Sequence, residues 1–287
     1  MFDLEPLHPL LGARVRGVDL RRTLSDALFA ALREAFRRYS VLVFPDQPLG
    51  DDEQIAFSRR FGPLEATRTG AIGAGSPVVH LGNIGADGEI VAPDDQMAIN
   101  ARANQLWHSD SSFKPVPSAA SALSAREVPA AGGETEFASL RAAWSALPAT
   151  RQEELRGLIA IHSFEHSRAQ IDPDFLSREE RTELPPVHQA LVRRLTPEGE
   201  ECLFLGSHAS HIIGWPEAEG RALLQDLLAH ATAPERVLQH VWQPHDLVLW
   251  DNRCVLHRGR PWDPGSRRHM VRTTIAGDAP TVDQDGV

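Results

Sequence analysis

Leu247-Val248-Leu249-Trp250 is an apolar run closed by the polar cluster Asp251-Asn252-Arg253, and His257 follows a few residues later. A short apolar run bounded by turn residues predicts a strand. Comparable runs flank it at 106–109, 119–125, 135–138 and 203–205 on one side and 270–275 on the other, separated by turns containing Gly and Pro. Helical patterns interrupt them at about 141–157 and 217–231. Many short strands without a β-α-β rhythm predict a mainly β fold with helical insertions around a jelly-roll core.

Further upstream, the sequence predicts a short strand near 13–18 and then a helix opened by Ser25 and Asp26, with Leu28, Leu32, Ala35 and Phe36 at helical spacing. A buried strand at 40–44 is stopped by Pro45, and a second helix over 51–61 is stopped by Gly62-Pro63. Residues 64–104, rich in Gly, Ala, Asp and Pro with a short strand at 78–81, read as long loops around a mouth. No repeat, heptad or linker divides the chain, so 1–287 is expected to be a single domain.

The net charge of -10 repels polyphosphates and anionic lipid, which argues against nucleic acid and membrane as partners. Lys114 is the sole lysine. An anion held by this chain is therefore held by arginine, whose planar fork matches the two oxygens of a carboxylate. For most of the arginines, genome composition is the simpler explanation. Cys202 and Cys254 lack CxxC spacing, the N-terminus lacks a basic and apolar leader pattern, and no apolar run approaches the length of a membrane span. A cytoplasmic protein is expected.

In Trp107-His108-Ser109-Asp110, alternation along a strand would put His108 and Asp110 on one face. With His257 they make two histidines and a carboxylate, the facial triad of non-haem Fe(II) oxygenases, which leaves positions open for a cosubstrate and O2. Zinc competes for such ligands, but a closed structural zinc site needs a fourth, and none is obvious. Taken by itself His-x-Asp also fits a surface histidine bonded to a neighbouring carboxylate. In Arg267-Arg268-His269-Met270-Val271-Arg272-Thr273-Thr274-Ile275, a strand would aim Arg268 and Arg272 into one cavity, fit to anchor a dicarboxylate, although a solvated basic edge strand reads the same way. Gly132-Gly133-Glu134-Thr135 is a turn signal whose Thr135 hydroxyl could add a second hydrogen bond to that carboxylate.

Together, WHSD, GGETEF, WDNRCVLHRG and RRHMVRTTI, in this order and spacing, resemble the TauD/TfdA family of Fe(II)/2-oxoglutarate dioxygenases. The likeness runs from Val41-Leu42-Val43-Phe44 to the final arginine strand. It implies a double-stranded β-helix, with His108, Asp110 and His257 as iron ligands, Thr135 and Arg268 as the clamp on the distal carboxylate of 2-oxoglutarate, and Arg272 beside cosubstrate and substrate. Trp250 matches a tryptophan near the iron and equally suits core packing. O2 is the second cosubstrate, and a homo-oligomer is compatible with such a family.

The segments 104–113, 206–211 and 251–259 resemble the aryloxyalkanoate branch, typified by 2,4-dichlorophenoxyacetate dioxygenase. This implies herbicide-like aryl ethers as small anionic substrates. Hydroxylation beside the ether oxygen would give a hemiacetal that collapses to a phenol and glyoxylate, with succinate and CO2 as coproducts. Asn104, Ser111, His208, His211 and Arg272 are the implied substrate contacts, with His208 and His211 equally able to satisfy loop backbone. Entrance lysines of that branch are represented here only by Lys114, so Arg68, Arg102 or Arg272 is expected to stand in. A sulfonate, an alkyl sulfate or another carboxylate is the alternative substrate, and a non-catalytic β-barrel that binds metal and dicarboxylate is the alternative class.

Overall fold

Both faces of the central strands are apolar, and that decides the layering. In the computed structural model, which describes residues 2–66, 75–196 and 199–282, the strands are β1 (Asp3–Pro6), β2 (Ala13–Arg16), β3 (Val41–Phe44), β4 (Val78–Gly82), β5 (Ala120–Glu127), β6 (Thr135–Ser139), β7 (Ile159–His162), β8 (Val187–Ala190), β9 (Val192–Arg194), β10 (Glu201–Leu203), β11 (Ala209–Ile212), β12 (Val237–His240), β13 (Leu247–Asp251), β14 (Val255–Gly259) and β15 (His269–Ile275). The helices are α1 (Asp26–Tyr39), α2 (Asp51–Arg59), α3 (Gln96–Ala103), α4 (Leu140–Ser145), α5 (Ala149–Leu155), α6 (Phe164–Ala169), α7 (Arg178–Glu183) and α8 (Glu217–Ala231).

A seven-stranded sheet runs in the order β1-β2-β3-β13-β5-β15-β4, antiparallel except where β2 meets β3. Along β3 and β13 successive side chains go to opposite layers. Leu42, Phe44, Leu247 and Leu249 pack under α1 and α2 with Leu32, Phe36 and Phe57. Val41, Val43, Val248 and Trp250 face a second layer, where β12-β6-β14 contributes Phe137, Ala138 and Leu256. Each such side chain, at most 1% exposed for these strand residues, contributes about 1.5–3 kcal/mol by leaving water. Sheet on sheet with helices outside is a jelly roll with helical insertions, as the strand rhythm predicts.

The helix over 26–39 begins where expected, with Ser25 Oγ accepting from Leu28 N. Four expectations change. The 106–109 segment is no strand: it makes one backbone bridge, His108 to His257, and the chain then turns at Ser111, where φ is 55°. The 141–157 helix is two, α4 and α5, because Pro148 cannot continue the first. Within the expected loops, α3 forms, capped by Asp95 accepting from Met97 N. The run at 203–205 pairs only as far as Leu203, where β10 ends. No helix among the described residues is long and apolar enough to cross a membrane.

His162, at the end of β7, is fully buried with its ring stacked 5.5 Å from Phe204, and neither ring nitrogen has a hydrogen-bond partner among the described residues. Burial pushes its pKa down to about 3 from an ordinary 6.5. The unfolded chain therefore binds a proton below about pH 6.5 that the folded chain refuses, and stability falls with pH in that window. Urea unfolding between pH 7 and pH 5 should show about 2 kcal/mol of loss from this residue. His162→Leu should flatten the slope by that amount; parallel slopes for the two proteins would mean that the ring titrates normally in the fold.

Candidate active site

His108 and His257 are 149 residues apart in sequence and face each other through a mutual pair of backbone hydrogen bonds, 3.0 and 2.9 Å long. Such a pair sets two side chains on one face, and the imidazole centroids are 4.2 Å apart. Asp110, two residues past His108, returns to the same face. Its Oδ1 lies 3.9 Å from His108 Nε2 and its Oδ2 3.6 Å from His257 Nε2. All three are buried, and one ligand atom of each falls within 4.8 Å of the others.

Their protonation suits a cation. His108 Nδ1 lies 2.7 Å from the Leu106 carbonyl, which can only accept, so Nδ1 carries the proton and the Nε2 lone pair is available. Burial pushes both imidazoles below their ordinary pKa, so they are neutral. For Asp110, burial works against ionisation, but the Arg272 guanidinium, the two imidazoles and the Ser121 hydroxyl outweigh it and hold the carboxyl well below the usual range. Two neutral nitrogens and a carboxylate fit a divalent metal with positions left open.

Asn252, which the sequence offered only as a turn residue, holds the Asp110 arm of this triad in place. Fully buried, it donates to Ser118 Oγ at 3.0 Å and Ser121 Oγ at 2.9 Å and accepts from Trp250 Nε1 at 2.8 Å and Asp110 N at 3.3 Å. Every donor and acceptor of the amide is used. Ser121 in turn donates to Asp110 Oδ2 at 2.7 Å, and Arg272 Nη1 to Asp110 Oδ1 at 2.7 Å. Trp250 fills the core, and its ring lies 4.6 Å from the His257 ring. Nothing in the sequence marked Ser121.

Thr135, Trp250, His257, Arg268 and Arg272 line one small cavity of about 60 Å³. Arg268 is 8% exposed and makes no ion pair with a carboxylate among the described residues. Its Nη2 donates weakly to Gly133 O at 3.3 Å, its guanidinium lies 4.9 Å from the Trp262 ring centroid, and burial pushes its pKa down to about 10. A cation so buried calls for an anion. The Gly132-Gly133 turn has φ of 76° and 72°, and a Cβ on Gly133 would sit 3.1 Å from Arg268 Nε. The glycines therefore serve both the turn and the arginine. Asn83 Oδ1, also unmarked in the sequence, accepts from Arg268 N at 2.8 Å.

A second cavity of about 600 Å³ adjoins it, sharing Asn104, His108 and Arg272. Ser111, Phe113, Phe164, Arg168 and His208 line it as well. His208 is buried, its Nδ1 is 3.1 Å from Ser112 Oγ and its Nε2 has no hydrogen-bond partner among the described residues. Ser111 and Lys114 both bond Glu65, so the sole lysine reaches the cavity already paired. His211 lines neither cavity. It lies past an irregularity in the pairing of β11 with β7, its Nδ1 beside Ser210 Oγ. Arg102 lines neither and donates to Pro93 O, while Arg68 lies outside the described residues. Of the three arginines expected there, Arg272 lines the wall, bonded to Asp110, and Arg168, which the sequence did not single out, lines it as well, lying 4.4 Å from the Phe164 ring centroid.

A jelly roll with two histidines and an aspartate converging beside a buried arginine has the donor set of a non-haem metal oxygenase. Residues 3–274 match the family described as "Taurine catabolism dioxygenase TauD, TfdA family", and the chain belongs to that family of dioxygenases. It is 45% identical to the alpha-ketoglutarate-dependent 2,4-dichlorophenoxyacetate dioxygenase of Cupriavidus pinatubonensis, over 96% of this chain and 97% of that one. It is 38% identical to the (S)-phenoxypropionate/alpha-ketoglutarate-dioxygenase of Sphingobium herbicidovorans, over 96% of each. The crystal structure of AAD-2 in complex with Mn(II) and N-oxalylglycine superposes with a TM-score of 0.92 at 40% identity, covering 99% of this chain and 100% of that one.

Removing the Asn252 amide should strand the Trp250 indole and two serine hydroxyls and loosen Asp110. Asn252→Ala is expected to cost about 2–5 kcal/mol in urea unfolding and to weaken Fe(II) or Co(II) binding by about tenfold to a hundredfold. Wild-type metal affinity in a folded variant would show that Asp110 is held without it.

Proposed function

We propose that the chain is a single catalytic domain that uses Fe(II), 2-oxoglutarate and O2 to hydroxylate an aryloxyalkanoate beside its ether oxygen. The observation that carries this reading is the buried triad, of which His108 and His257 line the same small cavity as Arg268, a guanidinium without a carboxylate partner among the described residues. His108, Asp110 and His257 would hold the iron. Thr135 and Arg268 would hold the distal carboxylate of 2-oxoglutarate, which suits a fork of parallel N–H donors. Bound iron with its cosubstrate supplies the oxidising chemistry, in which 2-oxoglutarate leaves as succinate and CO2 and one oxygen atom of O2 enters the substrate.

The protein's own contribution is orientation and a dry site. Arg272, bonded to Asp110, keeps the ligand carboxylate ionised next to two neutral imidazoles. Phe113 and Phe164, with ring centroids 4.6 Å apart in the larger cavity, offer an apolar wall for an aryl ring. His208, with Nε2 unpartnered there, and Arg168 offer hydrogen bonds to the substrate carboxylate. The hydroxylated carbon of an aryloxyacetate is a hemiacetal, whose collapse moves the hydroxyl proton to the departing phenolate and leaves glyoxylate. The relatives named above act on 2,4-dichlorophenoxyacetate and (S)-phenoxypropionate, which supports this substrate class. Two buried free thiols, Cys202 and Cys254, suit the reducing cytoplasm.

Anaerobic titration with Fe(II) and 2-oxoglutarate, watched in the visible for the weak metal-to-ligand charge-transfer band, tests the site. The band should form in the wild type and be absent in His108→Ala. Admitting O2 with an aryloxyacetate panel should then release phenol and succinate in equal amounts. Sulfate or sulfite from a sulfur substrate, without phenol from any ether, would reassign the substrate. Cosubstrate binding with no succinate from any substrate would make the chain a binder, and a folded protein without the band would remove the metal reading.

A further inference from the structure

We propose that Trp242 is a positioning residue for the dicarboxylate cosubstrate, acting through the hydroxyl of Thr135. This rests on the reading that Thr135 and Arg268 clamp that carboxylate. Thr135 opens β6, paired with His240 of β12 on one side and Gly259 of β14 on the other, and is 4% exposed. Trp242 lies two residues beyond the end of β12 and is 6% exposed. Its Nε1 donates to Thr135 Oγ1 at 3.0 Å. The indole is held edge-on against the His240 ring at 4.6 Å, so the direction of that N–H is set by packing.

The consequence follows from hydrogen-bond inventory. An indole N–H can only donate, a carboxylate can only accept, and a threonine hydroxyl can do either, with one proton and two lone pairs. A hydroxyl that accepts from Trp242 has one of those lone pairs occupied, and its proton is directed away from the indole. No acceptor for that proton is bonded to Thr135 among the described residues. Thr135 lines the cavity that holds Arg268, whereas Trp242 lines neither cavity. The indole therefore touches no ligand and turns an ambivalent hydroxyl into a committed donor aimed at the anion. Without it the hydroxyl is free to rotate, and part of the gain of the charge-assisted bond is spent on fixing it.

The test is cosubstrate affinity, read from binding. The Kd of 2-oxoglutarate is measured anaerobically on Fe(II)-loaded protein by absorption and on Mn(II)-loaded protein by calorimetry, for wild type, Trp242→Phe, Thr135→Val and the double variant. Trp242→Phe should raise Kd about twofold to tenfold, the span of one ordinary hydrogen bond, with metal affinity and thermal unfolding near wild type. Thr135→Val should raise it at least as much, and the double variant should bind no more weakly than Thr135→Val alone, since the indole acts only through the hydroxyl. If the smaller ring unsettles the fold, site-specific 3-benzothienylalanine keeps the bicyclic shape with sulfur in place of N–H. Unchanged affinity in Thr135→Val overturns the clamp itself. Weakened binding in Thr135→Val beside wild-type binding in Trp242→Phe, or fully additive effects, overturns the inference and leaves the clamp standing.

Discussion

Two backbone hydrogen bonds between His108 and His257 are the constraint on which the rest of this site depends. They join the segment after α3 to β14, so that ligands from the two halves of the chain share one face. Because β14 is itself paired to β6, the same bridge fixes where Thr135 stands relative to the metal donors. A backbone pair has little freedom, and side chains hung from it are preorganised at no further entropic cost. The buried amide of Asn252 adds the side-chain counterpart, tying Asp110 to the strand that carries Trp250.

Charge inside the protein is placed with the same economy. Asp110 is buried but faces Arg272 and two imidazoles, and Lys114 is buried in part but bonded to Glu65. Arg268, by contrast, has an aromatic face and a carbonyl for company and no acid among the described residues. In a low-dielectric pocket such an imbalance is costly until an anion arrives, and affinity for a dicarboxylate follows from relief of that cost. A large cavity walled by Phe113, Phe164 and His208 then adjoins the metal donors on the other side. The two chambers meet at His108 and Arg272, which is where a cosubstrate and a substrate would have to be brought face to face.

Much of this was legible in the residues. Leu247-Val248-Leu249-Trp250 reads as a strand because burial on both faces demands an unbroken apolar run, and the sheet uses it that way. The start of α1 was legible in Ser25, since a cap acts locally. His108, Asp110, His257, Thr135, Arg268 and Arg272 could be singled out from spacing and motif, and the fold brings them together. His108 and Asp110 share a face as expected, though from an extended segment with a single bridge where a strand was expected. Asn83, Ser121, Arg168 and Trp242 could not be singled out, because their importance lies in the atom each one meets, and no local pattern records that meeting.

The sequence alone determined the fold class through the spacing of short apolar runs, while the metal ligands and the dicarboxylate clamp were legible only through motifs that resemble a dioxygenase family, since residue type and spacing by themselves also fit a surface histidine and a solvated basic edge. The tertiary structure alone decided that His211 stays outside while Arg168 comes to the wall, that Lys114 arrives already neutralised by Glu65, and that one amide, Asn252, fixes Asp110 beside the two histidines. Those outcomes are set by which distant segments pack against each other, and packing is a property of the folded chain as a whole.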